Sequence, residues 1–270
     1  MDLQPKPNDI MLQLKQLEVK ALHNMHRHLV VFSGDEQWVK GMVVDQLPKL
    51  RQCETLIVSD QPLSTEGADL EGTYVKANQV KSYLGTEVDR LVWNGFSGLN
   101  PDGLGAASGL IKGGGLLFLM LPKFEKLSIQ ADPDYLRMCS QADELPNYGT
   151  RFLQRMINLI RTDSEVIVFK QNEYKENNPL TFCSENPINQ PSHLNQLTQD
   201  QVSMINGILT VSKGHRKRPL VVHADRGRGK TSALGIAAAH ITAEKSLKVL
   251  ITAPNKRACD AAFQHYHQQM

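Results

Sequence analysis

The sequence predicts an α/β protein in two parts. A three-layer domain on a mostly parallel sheet comes first. The beginning of a second α/β domain, carrying a phosphate-binding loop, follows it. Three observations predict this. Over residues 1–172, short apolar runs rich in branched and aromatic residues alternate with helix-length stretches, as in strands buried on both faces and joined by crossover helices. A polar stretch at 173–196 then carries Pro179, Pro187 and Pro191, which reads as a linker. Finally, Ala224-Asp225-Arg226-Gly227-Arg228-Gly229-Lys230-Thr231 lies between the apolar run Leu220-Val221-Val222-His223 and a small-residue helix, the strand, turn and helix order that cradles phosphates.

The elements follow in chain order. Ile10, Leu12, Leu14, Leu17, Val19, Ala21 and Leu22 recur at roughly helical spacing and predict an opening helix over 7–27. Leu29-Val30-Val31-Phe32 suits a buried strand. Ser33-Gly34-Asp35 turns the chain into a helix over 36–48. Thr55-Leu56-Ile57-Val58 is the second strand, and a helix near 77–84 leads to the third, Asp89–Trp93. A helix over 101–111 follows, Gly113-Gly114-Gly115 turns the chain, and Leu116–Met120 is the fourth strand, closed by Pro122. A helix over 151–160 and the strand Glu165–Phe169 complete the first domain, 1–172. Right-handed crossovers place its helices on both sheet faces. In the second domain, 197–270, helix 197–209, strand 219–223, helix 230–243, strand Lys248–Thr252 and helix Asn255–His267 are expected. Two or three strands make a poor independent core, so the end at Met270 reads as a cut through a domain.

Composition narrows the class. The chain has 270 residues, 41% hydrophobic and 21% charged, which suits a soluble globular protein of one or two domains. A net charge of +2 gives no overall field for nucleic acid. Lys213, Arg216, Lys217, Arg218, Arg226, Arg228 and Lys230 nevertheless crowd around the glycine-rich loop, a local positive field for phosphates or an RNA backbone; for residues 213–218 a solvated turn is an equal reading. Cys53, Cys139, Cys183 and Cys259 form no CxxC pair, so neither a zinc knuckle nor a disulfide framework is predicted. The start lacks a basic-then-apolar secretion signal, and the strongest apolar run, Leu116–Leu121, is too short to cross a bilayer. A cytoplasmic protein without membrane attachment is expected.

The loop carries the chemistry. Ala224 stands where the general pattern G-x-x-x-x-G-K-[ST] has its first glycine, and the remainder fits. Gly227 and Gly229 let backbone amides point into a concave nest. Lys230 is placed to reach the β and γ phosphates, and the Thr231 hydroxyl to coordinate Mg²⁺. The amino end of the following helix adds partial positive charge. Hydrolysis needs in addition an acidic residue ending a second strand. The strand over 248–252 ends in Thr252-Ala253-Pro254, so nucleotide binding without turnover is expected.

Other clusters read as structure. Gly103-Leu104-Gly105-Ala106-Ala107-Ser108-Gly109 resembles a dinucleotide fingerprint, but no strand immediately precedes it and the next strand ends in Leu121-Pro122-Lys123 without a carboxylate. Close packing of a helix on the sheet is the better account. Ser33, Asp35, Asn94 and Asn100 fall near the expected carboxyl ends of strands, where open sheets hold ligands. His23, His26 and His28 straddle a helix–strand boundary and read as helix-end and surface residues. Trp38 and Trp93 read as packing residues.

Three pieces resemble, in order, the P-loop (RecA-like) core of helicase-like ATPases. They are Leu197-Thr198-Gln199-Asp200-Gln201, the loop Ala224–Thr231, and Thr252-Ala253-Pro254-Asn255. Val31-Phe32-Ser33-Gly34, Leu91-Val92-Trp93-Asn94-Gly95, the stretch from Gly109 to Pro122, and Arg226-Gly227-Arg228-Gly229-Lys230 resemble the bacterial tRNA(Met) cytidine acetyltransferase family. The resemblance implies ATP and Mg²⁺ as cofactors, acetyl-CoA as acetyl donor, and elongator tRNA(Met) as the partner acetylated on N4 of its wobble cytidine. It implies further carboxyl-terminal domains that hold the acetyltransferase site, and no DNA partner. Carried over residue by residue, the ATP site is Gln201, contacting adenine, with Ala224, Asp225, Arg226, Gly227, Arg228, Gly229, Lys230, Thr231 and Ser232; Thr231 meets Mg²⁺ through the nucleotide. Arg226 and Arg228 are expected to support phosphate or neighbouring domains. The alternative is the front of an RNA or DNA helicase or another nucleic-acid-dependent ATPase.

Overall fold

Backbone and apolar pattern together produce sixteen named elements in the computed structural model, which describes residues 7–147, 149–173, 197–214, 219–224, 228–245, 247–253 and 256–270. In chain order they are α1 (Pro7–Asn24), β1 (His28–Ser33), α2 (Glu36–Gln46), β2 (Thr55–Val58), β3 (Ser64–Thr65), β4 (Ala68–Asp69), β5 (Thr73–Val75), β6 (Val88–Asn94), α3 (Pro101–Ser108), β7 (Ile111–Leu121), α4 (Phe124–Leu127), α5 (Arg151–Thr162), β8 (Ile167–Lys170), α6 (Gln199–Lys213), α7 (Lys230–Lys245) and α8 (Lys256–His267). Contacts divide the chain into two units, Met1–Lys81 with Val88–Cys183, and Ser82–Glu87 with Ser184–Met270. Of the segment expected as a linker, all but Glu173 lies outside the described residues.

The first unit is built on a six-stranded sheet in the order β5-β2-β6-β7-β1-β8, with every neighbouring pair parallel. Alternate residues face opposite ways along a strand. Val30 and Phe32 of β1 and Val92 of β6 join a core with Leu14 and Leu17 of α1 and Val39 and Val43 of α2. Val31 and Trp93, one residue along, are equally buried and belong to the opposite face. There α3 meets the sheet closely enough that a Cβ on Gly103 would lie 2.9 Å from the Trp93 ring. The second layer of helix includes α5, whose Leu153, Ile157 and Ile160 are buried at helical spacing. Phe32 stacks on Phe169 of β8 with ring centroids 5.2 Å apart. The expected three-layer sandwich is present.

Several local expectations are corrected. The helix near 77–84 is present, as a 3-10 helix over Ala77–Tyr83. The helix expected over 101–111 ends at Ser108. The glycines at 113–115 lie within β7, which starts at Ile111. They form an irregularity opposite β6, where the register jumps from Val88↔Ile111 to Arg90↔Leu116. Gly114 has φ 82°, against α1 at Leu22, and a Cβ on Gly115 would lie 2.6 Å from the Asp89 carbonyl. Glycine here lets the strand bulge under a helix rather than reverse. His28 is buried, with Nδ1 3.9 Å from Glu165, and is not a surface residue.

In the second unit, Ile205 of α6 packs with Ala233, Ile236 and Ala237 of α7. On α7's other side α8 approaches at Gly235, where a Cβ would meet the Ala262 carbonyl and lie 2.9 Å from His265 Cβ. The strands expected at 219–223 and 248–252 are absent: among the described residues, 219–224 and 247–253 run without strand pairing. An extended segment becomes a strand only through a hydrogen-bonded neighbour. Val221 is 86% and Leu250 89% exposed, so neither segment is covered.

Candidate functional site

Open parallel sheets hold ligands where adjacent strands send their connections to opposite faces. In the first unit this happens between β1 and β7 and again between β2 and β6, and the first of these places is filled. The Ser33 hydroxyl donates to the Pro122 carbonyl at 3.0 Å, and the Gly34 amide to the Leu121 carbonyl at 3.1 Å. Gln171, just past β8, donates its amide to the Ser33 carbonyl at 3.0 Å and accepts from the Asp35 amide at 2.7 Å. Asp35 is 3.2 Å from the Lys123 ammonium. A Cβ on Gly34 would lie 2.8 Å from both Gln171 and Trp38. Asn100 accepts from the Gly103 amide at 2.7 Å as the cap of α3, and donates to Asp134 at 3.0 Å. Asn94, at the end of β6, lines a hollow of about 190 Å³ with Lys40, Asp60, Gln61 and Ser97 among its walls. Its own amide is used by Ser59 at 3.1 Å and the Phe96 N–H at 3.2 Å.

The neighbouring loop is fastened by Asp132. This buried carboxylate accepts from the Leu99 amide at 3.0 Å and the Asp134 amide at 2.9 Å. Burial pushes its pKa up, against the lowering effect of those amides. It has a structural task, and spacing alone carried no sign of it.

The second unit gathers the phosphate-loop residues. Asp225, Arg226 and Gly227 lie outside the described residues. Gly229 adopts φ 76°, a conformation that glycine enters without steric penalty. Lys230 opens α7, whose first turn holds no acidic residue. The amide end of that turn and its dipole therefore favour an anion. Thr231 and Ser232 occupy the same turn and are half-buried, while Ala224 and Arg228 are exposed. The Lys230 ammonium donates to the Ala224 carbonyl across the loop. Donors and a left-handed glycine at a helix start fit a polyphosphate.

Gln201 is brought to this loop from α6: its Nε2 lies against Gly229, leaving no room for a Cβ there. Its Oε1 accepts from the Thr198 amide at 2.9 Å, while its own amide donates to the Thr198 hydroxyl at 3.3 Å. This reciprocal pair caps α6. The carboxamide expected to read adenine thus has its acceptor in use. Sequence reasoning did not find His265, whose Nε2 is 2.8 Å from the Ser232 hydroxyl. The partners are far apart in the chain, and a lone histidine on a helix gives no signal.

Among the described residues no helix is long and apolar enough to cross a membrane. None of their His, Cys, Asp and Glu side chains form a group of three or more suited to a metal ion.

Comparison with known proteins places both halves. The model of the tRNA(Met) cytidine acetyltransferase TmcA N-terminal domain matches residues 4–171. That of the RNA cytidine acetyltransferase NAT10/TcmA helicase domain matches residues 221–270. A tRNA(Met) cytidine acetyltransferase TmcA of Nitrosococcus halophilus is 31% identical over 244 residues, 89% of this chain and 32% of the relative. One from Vibrio cholerae is 29% identical over 262 residues, 96% of this chain and 31% of the relative. One from Haloarcula marismortui is 24% identical over 264 residues, 92% of this chain and 33% of the relative. The chain spans about a third of the length of these curated relatives.

Proposed function

The chain belongs to the tRNA(Met) cytidine acetyltransferase TmcA family, and on that premise we propose that it forms the leading domain and the opening of the ATPase module of an ATP-dependent tRNA acetyltransferase. The reaction replaces CoA on the acetyl thioester by the N4 amine of the wobble cytidine of elongator tRNA(Met), in the cytoplasm. Acetyl-CoA chemistry is assigned to the part of the family's length that this chain does not span. The observation that carries the reading is the succession of the two family matches along one chain.

Within this chain the loop from Ala224 to Ser232 holds the ATP phosphates. The amides of Gly227 and Gly229 and the Lys230 ammonium supply donors, and Thr231 meets Mg²⁺. Arg226 and Arg228 add positive charge. Lys230 leaves the Ala224 carbonyl for the phosphates when nucleotide enters. Gln201 turns to adenine only by releasing the cap of α6, so base recognition and the order of that helix end are coupled. ATP hydrolysis in the complete enzyme would supply the energy for positioning tRNA, with acetyl transfer elsewhere.

Isothermal titration of the purified chain with Mg-ATP tests the site. Saturable binding that disappears in K230A is the expected result; equal binding by both proteins removes the phosphate-loop assignment. In the complete enzyme, K230A is expected to lower the rate of tRNA acetylation. An unchanged rate and specificity would show that the loop has no part in it.

A further inference from the structure

Ser232 lies two residues past Lys230, on the first turn of α7. Its hydroxyl is 2.8 Å from His265 Nε2 on α8. The other ring nitrogen, Nδ1, is 3.2 Å from Gln268 Oε1. An amide oxygen only accepts, so the neutral ring carries its proton on Nδ1 and presents a lone pair at Nε2. That lone pair takes the single proton of the Ser232 hydroxyl. A phosphate oxygen at the same helix start also needs donors. One hydroxyl cannot donate to both.

The pairing is set by backbone proximity. Gly235, one turn along α7, faces the Ala262 carbonyl, and a Cβ there would lie 2.9 Å from His265 Cβ. Ser232 and His265 are both half-buried. A second link, Thr242 Oγ1 to the Tyr266 hydroxyl at 3.2 Å, ties the helices further along.

We propose that the Ser232–His265 hydrogen bond is a phosphate-sensitive latch between α7 and α8: a nucleotide phosphate competes with His265 for the Ser232 proton, and its arrival frees α8 from the start of α7. This rests on the nucleotide reading of the loop given above. His265 is a positioning residue that acts through Ser232. Because α8 begins at Lys256, directly after the 252–255 segment, the latch links nucleotide occupancy to a second piece of the chain that resembles the helicase-like ATPase core. Binding couplings are reciprocal, so whatever draws α8 from α7 tightens nucleotide binding.

The test is a double-mutant cycle read by Mg-ATP titration on the 270-residue chain, using the unsubstituted protein, H265F, S232A and S232A/H265F. Phenylalanine keeps the ring's bulk and removes both nitrogens. H265F is expected to tighten Mg-ATP roughly two- to tenfold, the worth of one released hydrogen bond, and to have no effect once Ser232 is alanine. Weakening, or an equal change in both backgrounds, means that His265 only packs, and overturns the latch. Imidazole ¹⁵N NMR of the unsubstituted chain gives a second readout that needs no substitution. The His265 Nε2 resonance is expected to move toward that of a free imine nitrogen on Mg-ATP addition, and a stationary resonance at saturation overturns the latch. Absence of any Mg-ATP binding to the unsubstituted chain overturns the nucleotide reading and the latch with it. Binding without coupling overturns the latch alone.

Discussion

Gln201 caps α6 and, in the proposed ATP site, contacts adenine, and one substitution can separate the two roles. A carboxylate at the third helical position caps as well as a carboxamide does, but it has no N–H to offer adenine. Q201E is therefore expected to keep the stability of α6 while weakening Mg-ATP roughly tenfold, the loss of a base contact worth about 1.4 kcal/mol. Circular dichroism and titration on the same sample check the two halves. His28 gives a pH dependence of definite sign. Burial lowers its pKa below 6.5, the nearby Lys20 charge adds to this, and Glu165 opposes it. The unfolded chain therefore binds the proton more readily, and His28's contribution to stability is complete above pH 6.5 and lost as pH falls through its lowered value. Its Nε2 has no partner among the described residues, so H28L is expected to remove this acid-side loss with little change at pH 8. Unfolding midpoints of both proteins across that window decide it. The burial of His28 was not legible in the sequence, where three nearby histidines read as helix-end and surface residues.

Helix and strand signals succeed or fail according to how local their causes are. Leu29–Phe32, Thr55–Val58 and Asp89–Trp93 are readable because a strand buried on both faces must be continuously apolar. β5 is only Thr73–Val75 with an exposed outer face, and β3 and β4 have two residues each, so none stands out. The order of the six strands depends on pairing between distant segments and has no local signal. The phosphate-loop pattern stands out in the sequence because its glycine, lysine and hydroxyl residues must be contiguous; the Ser232–His265 pair does not, because tertiary packing creates it. Gly235 tests the same distinction. In an isolated helix, glycine to alanine gains about 1 kcal/mol. Here the new methyl would strike the Ala262 carbonyl of α8, and overpacking of this kind costs about 1–3 kcal/mol. G235A is expected to destabilise the second unit, with faster hydrogen exchange in α7 and α8 than in the unsubstituted chain. Slower exchange would mean that propensity outweighs the contact.

At the scale of the molecule, two separately packed units imply two unfolding events. Trp38 and Trp93 are the chain's two tryptophans, and both lie in the first unit. Their fluorescence thus follows that unit, whereas far-ultraviolet dichroism follows both. Mg-ATP is expected to raise the later-built unit's midpoint in dichroism by linkage and to leave the tryptophan transition in place. Coincident shifts in both signals would show that the units unfold as one. The bare segments around Val221 and Leu250 carry a practical consequence. Apolar extended segments without strand pairing among the described residues are adhesive, since each is a template for strand addition by a neighbour. Concentrated solutions of this chain should therefore turn cloudy through cross-molecular pairing at those two ribbons, and a lysine at position 221 should keep them clear.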